Sequence, residues 1–253
     1  MTPLVRRRVF TVGIAGLLAF YGWGLSGLPA FGDYRGPYGF LVDALAIHQT
    51  HATGIVSAVN FFYRGFDTLG EEFILFIAAT GVATVLRELR GEHDREENDL
   101  AEGRAATLTS DAVRMSALVF VGPVLVMGWF LTTHAQTDPS GGFQGGVVMA
   151  TAVILVYLGG QFLVFERLSP IDVADAAEAV GAGGFVLVGL GALMAGAAYL
   201  ADFLPLGSPA GAVDASGTIA LISFFVGVEV AMAFVLIANE LLEQTIVVRK
   251  GSR

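Results

Sequence analysis

The chain has 253 residues, of which 55% are hydrophobic and only 15% are charged, whereas an average soluble domain carries about 25% charged residues. It contains no cysteine, which excludes disulfides, thiolate metal sites, iron–sulfur ligation and a cysteine nucleophile. The net charge of −9 argues against nucleic-acid binding, and four scattered histidines offer little for a metal or haem. Together with long uncharged stretches, this composition indicates an all-α polytopic membrane protein for which no cofactor or metal is expected.

Three arginines at residues 6–8 precede an uncharged run that predicts a first transmembrane helix at about residues 8–27. Basic residues beside a span favour the cytoplasmic side, so the N-terminus is expected inside the cell. Residues 29–66 are rich in glycine and carry charges of both signs, which predicts an outside segment. The later part of this segment, residues 47–63, is amphipathic and aromatic and is expected to lie at the membrane interface without spanning.

The second span is too short if only its uncharged residues are counted, because just fourteen of them, residues 73–86, follow Glu72 before the next charge. At about 1.5 Å per residue they cover roughly 21 Å, whereas the hydrocarbon core is about 30 Å thick. The helix is therefore expected to begin near Asp67, with acidic side chains at or below the membrane surface. Asp67 and Glu71 would share one helix face, and Thr68 and Glu72 the neighbouring one.

Residues 87–110 carry many charges of both signs and no recurring apolar face, which predicts a solvated linker. Ser110 is the expected N-cap of the third span. The remaining spans are predicted at about residues 111–133, 143–164, 179–201 and 217–242.

The basic residues support this six-span arrangement. Twelve of the 14 lysines and arginines fall on the side that carries both termini, so both termini are expected in the cytoplasm. The predicted domains are a two-span module at 1–90, a charged cytoplasmic linker at 91–110 and a four-span module at 111–248.

A glycine-rich joint, TDPSGGFQGG at residues 137–146, separates the third and fourth spans. Four glycines and a proline disfavour a helix, so a loop is predicted. The glycines nevertheless recur at intervals of four and lead into an apolar helix, a spacing that lets another helix approach closely in a membrane; an ordinary turn is the alternative. The residues expected to serve helix packing or subunit docking are Gly141, Gly142, Phe143, Gln144, Gly145, Gly146, Gly191 and Gly196.

Two stretches resemble parts of one family of complexes. TDPSGGFQGGVVMA at residues 137–150 resembles the signature of the B subunit of Mrp-type multisubunit cation/proton antiporters, the MnhB family. NFFYRGFDTLGE at residues 60–71 resembles a signature near the C-terminal end of the large A subunit of the same antiporters, the MbhE-like module. Tyr63 stands where that module usually has aspartate, and Glu72 where it usually has an apolar residue.

These resemblances imply a non-enzymatic, multi-pass subunit of the plasma membrane that belongs to a complex exchanging Na⁺ for H⁺. The implied partners are the A, C, D and smaller subunits of that complex, together with membrane lipid. Such a subunit would line part of the cation or proton path and dock against its partners. Two alternatives stay open: a structural adaptor with no ion-handling role, and the equivalent module of a membrane-bound hydrogenase or other complex-I-related assembly.

Several polar residues in or beside the spans are candidates for that path. A charged acid at a helix centre costs about 2.5–3.5 kcal/mol to insert, so Glu229 indicates either a proton-handling group or a neutral, hydrogen-bonded acid. Glu71 is the strongest candidate of all, because it combines a membrane-edge position with the A-subunit-like motif, and Glu72 is a second candidate for the same role. His134 would be a proton donor at the outer mouth or an interfacial anchor, since histidine exchanges protons near neutral pH. The full predicted set is Asp67, Thr68, Glu71, Glu72, His134 and Glu229.

Overall fold

The computed structural model describes residues 3–28, 30, 32–33, 36–86, 110–160 and 162–245. Within these ranges every regular element is helical. The helices are α1 (Pro3–Ser26), α2 (Tyr38–Thr50), α3 (Ile55–Ala58), α4 (Gly65–Leu86), α5 (Asp111–Thr133), α6 (Gly142–Gly160), α7 (Phe162–Leu168), α8 (Ile171–Met194) and α9 (Thr218–Thr245), with a π-helical turn at Val59–Tyr63 before α4. The predicted charged linker, apart from Ser110, lies outside the described residues.

Six of these helices are long and apolar enough to cross a membrane: α1, α4, α5, α6, α8 and α9. The all-α, six-span prediction is confirmed for the described part of the chain. The helix α5 has its predicted bounds, and the Ser110 hydroxyl caps it by accepting a hydrogen bond from the Val113 N–H at 3.4 Å. The helix α4 begins at Gly65, so it extends past Glu72 and Glu71 as the shortness of the uncharged run requires.

The fifth span begins earlier than predicted, at Ile171 instead of residue 179. Residues 171–178 lie outside the predicted fifth span because they contain three acids. In the structure they form the first two turns of α8, because Ala174 and Glu178 face inward while Asp172 stays exposed. The charges of this segment therefore belong to different helix faces, and one of them is buried.

The described residues up to Leu41 and those from Val42 onward form two compact units. In the first unit, α1 presents apolar side chains in every direction, including the exposed Phe10, Leu17 and Trp23. A helix that is apolar all round is typical of a membrane span.

The second unit is organised around α9, which contacts α4, α5, α6 and α8. Its residues Ile219, Ile222, Val226 and Val230 are fully buried and form one apolar cluster with Phe185 of α8. Most of α9 is buried, although Leu221, Phe224 and Leu241 stay exposed, so a polar side chain on its buried side is surrounded by protein.

The segment predicted to lie at the membrane interface, residues 47–63, belongs to none of the six candidate spans, as expected. It packs into this cluster: Ala52 and Ala58 are fully buried, and the ring of Phe61 meets that of Phe185 edge to face with centroids 6.2 Å apart. That the segment lies at the membrane interface stays a prediction.

The glycine-rich joint is a loop only in its first half, because α6 already begins at Gly142. A methyl group built on Gly146 would lie 2.7 Å from Val230 Cβ of α9, and one on Gly145 would lie 2.7 Å from Gly128 O of α5. The two neighbouring helices therefore approach α6 at the surface that the glycines leave open. This close packing offsets the entropic cost of placing glycines in a helix.

Three connecting segments meet at one end of the bundle: residues 51–54, 134–140 and 206–213. The N–H of Gly54 donates to Gln136 O at 2.9 Å, and the N–H of Gly211 donates to His51 O at 2.8 Å. We refer to these three segments as the loop cap. All three lie in regions predicted for the outer side of the membrane; that they face outward stays a prediction.

Candidate functional site: buried carboxyl groups on three helices

Glu229 lies near the middle of α9 and is fully buried, with 0% of its surface exposed. Neither of its carboxyl oxygens has a hydrogen-bond partner among the described residues. An ionised carboxylate in such surroundings is costly unless a cation or a proton compensates it. The gain or loss of a proton or an ion at Glu229 would therefore change the electrostatic energy of the protein strongly.

The backbone of α8 approaches α9 closely at this acid. A methyl group built on Gly181 would lie 2.6 Å from Glu229 N and 2.7 Å from Glu229 Cβ. Only a residue without a side chain fits there. Gly181 thus lets α8 seal one side of Glu229, in the way that small residues allow close helix contacts in membranes.

Glu72 of α4 is the second buried acid, with 3% of its surface exposed. Its Oε2 atom has no hydrogen-bond partner within the described ranges. Thr68, one turn earlier on the same face, is also buried. The predicted face of Thr68 and Glu72 is thus the inward one, whereas Glu71 on the other face is exposed.

Glu178 of α8 is a third buried acid, with 4% of its surface exposed, and the sequence reasoning missed it. It lies one turn before Gly181 and belongs to the same inward stripe, which continues through Phe185 and Ala192. The signal that would have found it is this spacing of small and apolar residues from Ala174 onward, at intervals of three and four.

The buried acids lie close enough to affect one another electrostatically. Glu72 of α4 is affected by the charges of Glu229 and of the exposed Glu71, and Glu229 of α9 is affected by that of Glu178 on α8. In the described part of the chain no group of three acidic, histidine or cysteine side chains is close enough to hold one metal ion. The arrangement is a series of separate carboxyl groups.

Two of the predicted path residues lie apart from this series. Asp67 is exposed and forms a salt bridge with Arg64, whose Nε lies 2.7 Å from Asp67 Oδ2. His134 ends α5, where its Nδ1 lies 3.0 Å from Phe130 O and its ring stacks on Phe130 with centroids 4.1 Å apart. The salt bridge and the helix-end contact account for the positions of these two side chains.

The predicted packing residues serve different purposes. Gly142, Gly145, Gly146 and Gly191 make close contacts inside the chain, the last with the ring of Phe203, whose Cζ would lie 2.8 Å from an added methyl. Gly196, with φ of +78°, does not pack against another helix but ends α8.

The other members of that predicted set lie at the start of α6. Gly141 faces the side chain of Gln144. Phe143 and Gln144 are exposed, so together with the exposed Gly196 they remain accessible for docking to a partner protein.

Residues 112–236 match the family model described as a domain related to the MnhB subunit of Na⁺/H⁺ antiporters. This range runs from the start of α5 through most of α9 and includes Glu178 and Glu229. Residues 112–236 are thus similar to the MnhB subunit. The resemblance seen in the sequence around the glycine-rich joint is thereby confirmed, and the chain is a multi-pass membrane protein similar to subunits of Mrp-type complexes.

Two curated relatives are each 30% identical to the chain. One, a probable A/B subunit of a K⁺/H⁺ antiporter from Rhizobium meliloti, matches over 142 residues, which is 49% of this chain and 14% of the relative. The other, an uncharacterized protein of Methanocaldococcus jannaschii, matches over 177 residues, 62% of this chain and 63% of the relative. The chain therefore spans less than two thirds of either relative.

Two solved structures resemble the whole fold. A chain of the membrane-bound sulfane sulfur reductase, an archaeal respiratory membrane complex, is 28% identical with a TM-score of 0.71, covering 94% of this chain and 98% of that one. A chain of the Mrp complex from Dietzia sp. has a TM-score of 0.69 at 17% identity, covering 95% of this chain and 26% of that one. The second similarity shows the fold alone.

Proposed function

We propose that the chain is an accessory membrane subunit of an Mrp-type monovalent cation/proton antiporter, in which Glu72 and Glu229 line part of the proton path. Its partners would be the A, C, D and smaller subunits of the complex. The N-terminal part, up to α4, would correspond to the MbhE-like end of an A subunit fused to the MnhB-type domain. The proposal rests on the family of residues 112–236 and on the buried acids.

The observation that carries the proposal is the enclosure of Glu229. A carboxyl group that is fully buried at the most central helix, with no hydrogen-bond partner in the described part of the protein, contributes little to stability. Acids retained at such positions in membrane proteins typically belong to ion or proton pathways. The neighbouring Glu72 supplies a second carboxyl on the side of α4.

A proton is favoured over a cation as the species carried here. Na⁺ takes several oxygen ligands at once, whereas the acids in the described ranges do not gather into a shared group. Protons, in contrast, pass between single carboxyl groups in series, as in the acid chains of pumps and transporters. A cation would then move along another part of the complex.

Glu71 has a different role in this proposal. Its side chain is exposed although it lies in the second turn of a membrane-spanning helix. An acid facing lipid would be costly, so we expect a partner protein of the complex to cover it. Glu71 would then contribute to docking or to a path shared with that partner.

The test is to replace Glu229 with Gln in the assembled complex and to measure Na⁺-driven proton movement in vesicles. Gln keeps the size of the side chain but cannot release a proton. We expect transport to fall by about a hundredfold, the usual range for losing a proton-transferring group. Asp214→Asn is the matched control, because Asp214 is an exposed acid in the loop cap region and should leave transport unchanged.

Assembly must be measured in parallel by quantifying the subunits that co-purify. A Glu229→Gln complex of normal composition that transports at the wild-type rate would remove Glu229 from the path. In that case the chain would be a structural adaptor, which is the simplest competing function.

One observation favours a second candidate function. The match to the sulfane sulfur reductase chain covers 98% of that chain, so nearly the whole fold has a counterpart in a respiratory complex. The same module would then couple proton movement to electron transfer. Purifying the native complex distinguishes the two cases, because redox subunits would accompany the chain in a respiratory assembly and be missing from an antiporter.

A further inference from the structure

We infer that Glu178 is a third proton carrier, and that the path descends through three helices from Glu72 on α4 to Glu229 on α9 and then to Glu178 on α8. This inference rests on the proposed function and extends it to a residue that neither motif contains. It gives the path an order and a direction across the bundle.

The depths of the three acids support that order. Helix α4 begins beside the connection that follows α8, because Gly65 lies within 3.6 Å, measured from an added Cβ, of Leu200 Cδ1. The start of α9 belongs to the same end, since Ser216 N donates to Leu206 O at 2.8 Å. Counting residues from Gly65 and Thr218, Glu72 lies about 10 Å and Glu229 about 16 Å below that end.

Glu178 lies deeper still. Gly181 is level with Glu229, since an added methyl would touch its backbone. Glu178 precedes Gly181 by three residues on a helix that runs toward the loop cap, so it lies about 4.5 Å further from that cap. It is then only about 10 Å from Ile171, the first residue of α8 at the opposite end. The three acids thus divide the bundle into short intervals.

The electrostatic interactions are consistent with this order, because Glu72 is affected by Glu229 and Glu229 by Glu178; Glu72 is also affected by Glu71. Among the described residues, the charged groups that interact with Glu229 are thus Glu72 from α4 and Glu178 from α8, and helix α6 contains no acidic or basic residue and only Tyr157 as a titratable group. Neither neighbour is a cation that would fix Glu229 in one charge state.

The transfer itself needs no other reactant. The proton of the Glu229 carboxyl group leaves its oxygen and binds a carboxylate oxygen of Glu178, so Glu229 becomes the anion and Glu178 the neutral acid. The charge of the pair is unchanged, and a proton arriving from Glu72 restores Glu229. A side-chain rotation or an intervening water would bridge each interval.

The experiment compares Glu178→Gln, Glu178→Asp and Asp172→Asn in the assembled complex, using Na⁺-driven proton movement in vesicles. We expect Gln at 178 to lower transport by about tenfold or more, and Asp to restore a large part of it because it keeps the exchangeable proton. Asp172 lies on the exposed side of α8 and its variant should behave as wild type. A merely structural role would predict the reverse, since Gln matches the size of Glu better than Asp does.

The possible outcomes distinguish failure of the role inferred for Glu178 from failure of the proposed function. If Glu229→Gln abolishes transport while Glu178→Gln leaves it unchanged with normal assembly, the path does not include Glu178 and only this inference fails. If neither variant changes transport, the proposed function fails with it. If Asp and Gln at 178 are equally inactive while assembly is normal, the carboxyl group is not the functional feature and the inference is overturned.

Discussion

Helix α9 is approached closely on two sides, and the two contacts differ in what they enclose. On the side of α6, Gly142 and Gly146 lie against Val226, Val230 and backbone atoms of α9, so no ionisable side chain takes part in the contact. On the side of α8, Gly181 lies against the backbone of Glu229, so the contact closes over a carboxyl group. The same device, a glycine that leaves room for a neighbouring helix, thus builds a packed core in one place and encloses an acid in the other.

The difference shows that glycine spacing alone does not reveal what a contact is for. The α6 contact needs only shape, because its partners are valine side chains and backbone atoms of α9. At the α8 contact the glycine also fixes where an ionisable group lies, so a change there is expected to affect transport as well as stability. Three substitutions separate these two roles, in order of the size of their expected effect.

Gly146→Leu should have the largest effect, because its first side-chain atom would meet Val230 Cβ at 2.7 Å and Gly227 O at 2.8 Å. The Gly227 carbonyl belongs to a helix backbone and cannot move aside alone. We expect the protein to lose at least about 3 kcal/mol of stability, at the upper end of the cost of overpacking. Thermal unfolding of the purified protein in detergent measures this loss.

The matched control is Gly183→Leu on α8, where an added Cβ meets nothing within 4 Å. Gly183 borders an open apolar groove of about 650 Å³, which has room for the new side chain. Equal destabilisation by the two variants would contradict the view that the α6 glycine is required by its contact.

Gly181→Ala should have an intermediate effect on stability and a specific effect on transport. The added methyl would meet Glu229 N at 2.6 Å and push α8 away from α9. We expect a loss of about 1–3 kcal/mol from overpacking, which the better helix propensity of alanine offsets by roughly 1 kcal/mol. Transport should fall further than the amount of assembled complex does, because the spacing between Glu229 and Glu178 changes.

Vesicle assays normalised to the amount of assembled complex measure this second effect. If the transport rate per complex equals that of wild type, Gly181 acts only in packing. The α8 contact would then be no different in kind from the α6 contact.

Helix bounds and buried acids could be predicted from the sequence where the residues that determine them are close together in the chain. The bounds of α5 followed from Ser110 and an uninterrupted apolar run, and the start of α4 followed from the thickness of a bilayer. Glu229 could be found because it is a lone charge in an apolar stretch. In each case the neighbouring residues in the sequence were sufficient for the prediction.

Glu178 and the choice between Glu71 and Glu72 depended on distant residues. Adjacent residues on a helix differ in direction by about 100°, and only the packing of α4 on α9 decides which acid faces inward. Glu178 looked like part of a polar connection because Asp172 and Asp175 precede it. Its burial follows from the approach of α9, and within α8 itself only the spacing of small and apolar residues from Ala174 onward indicates it. The glycines likewise predicted close contacts but not the identity of the contacting helix.

The smallest effect is expected for Gly191→Ala. This variant tests whether a close contact with a side chain contributes as much to stability as the contacts that Gly146 and Gly181 make with the backbone of α9. An added methyl would lie 2.8 Å from Cζ of Phe203, the far end of a ring in a connecting segment. A ring can move by a few tenths of an ångström, whereas the backbone at Gly181 or Gly146 cannot. The cost should be largely cancelled by the gain of roughly 1 kcal/mol in helix propensity, giving a net change within about 1 kcal/mol. Unfolding in detergent measures the change. A loss as large as that of Gly181→Ala would mean that Phe203 is held as rigidly as the helices, and that the end of α8 is as firmly packed as its centre.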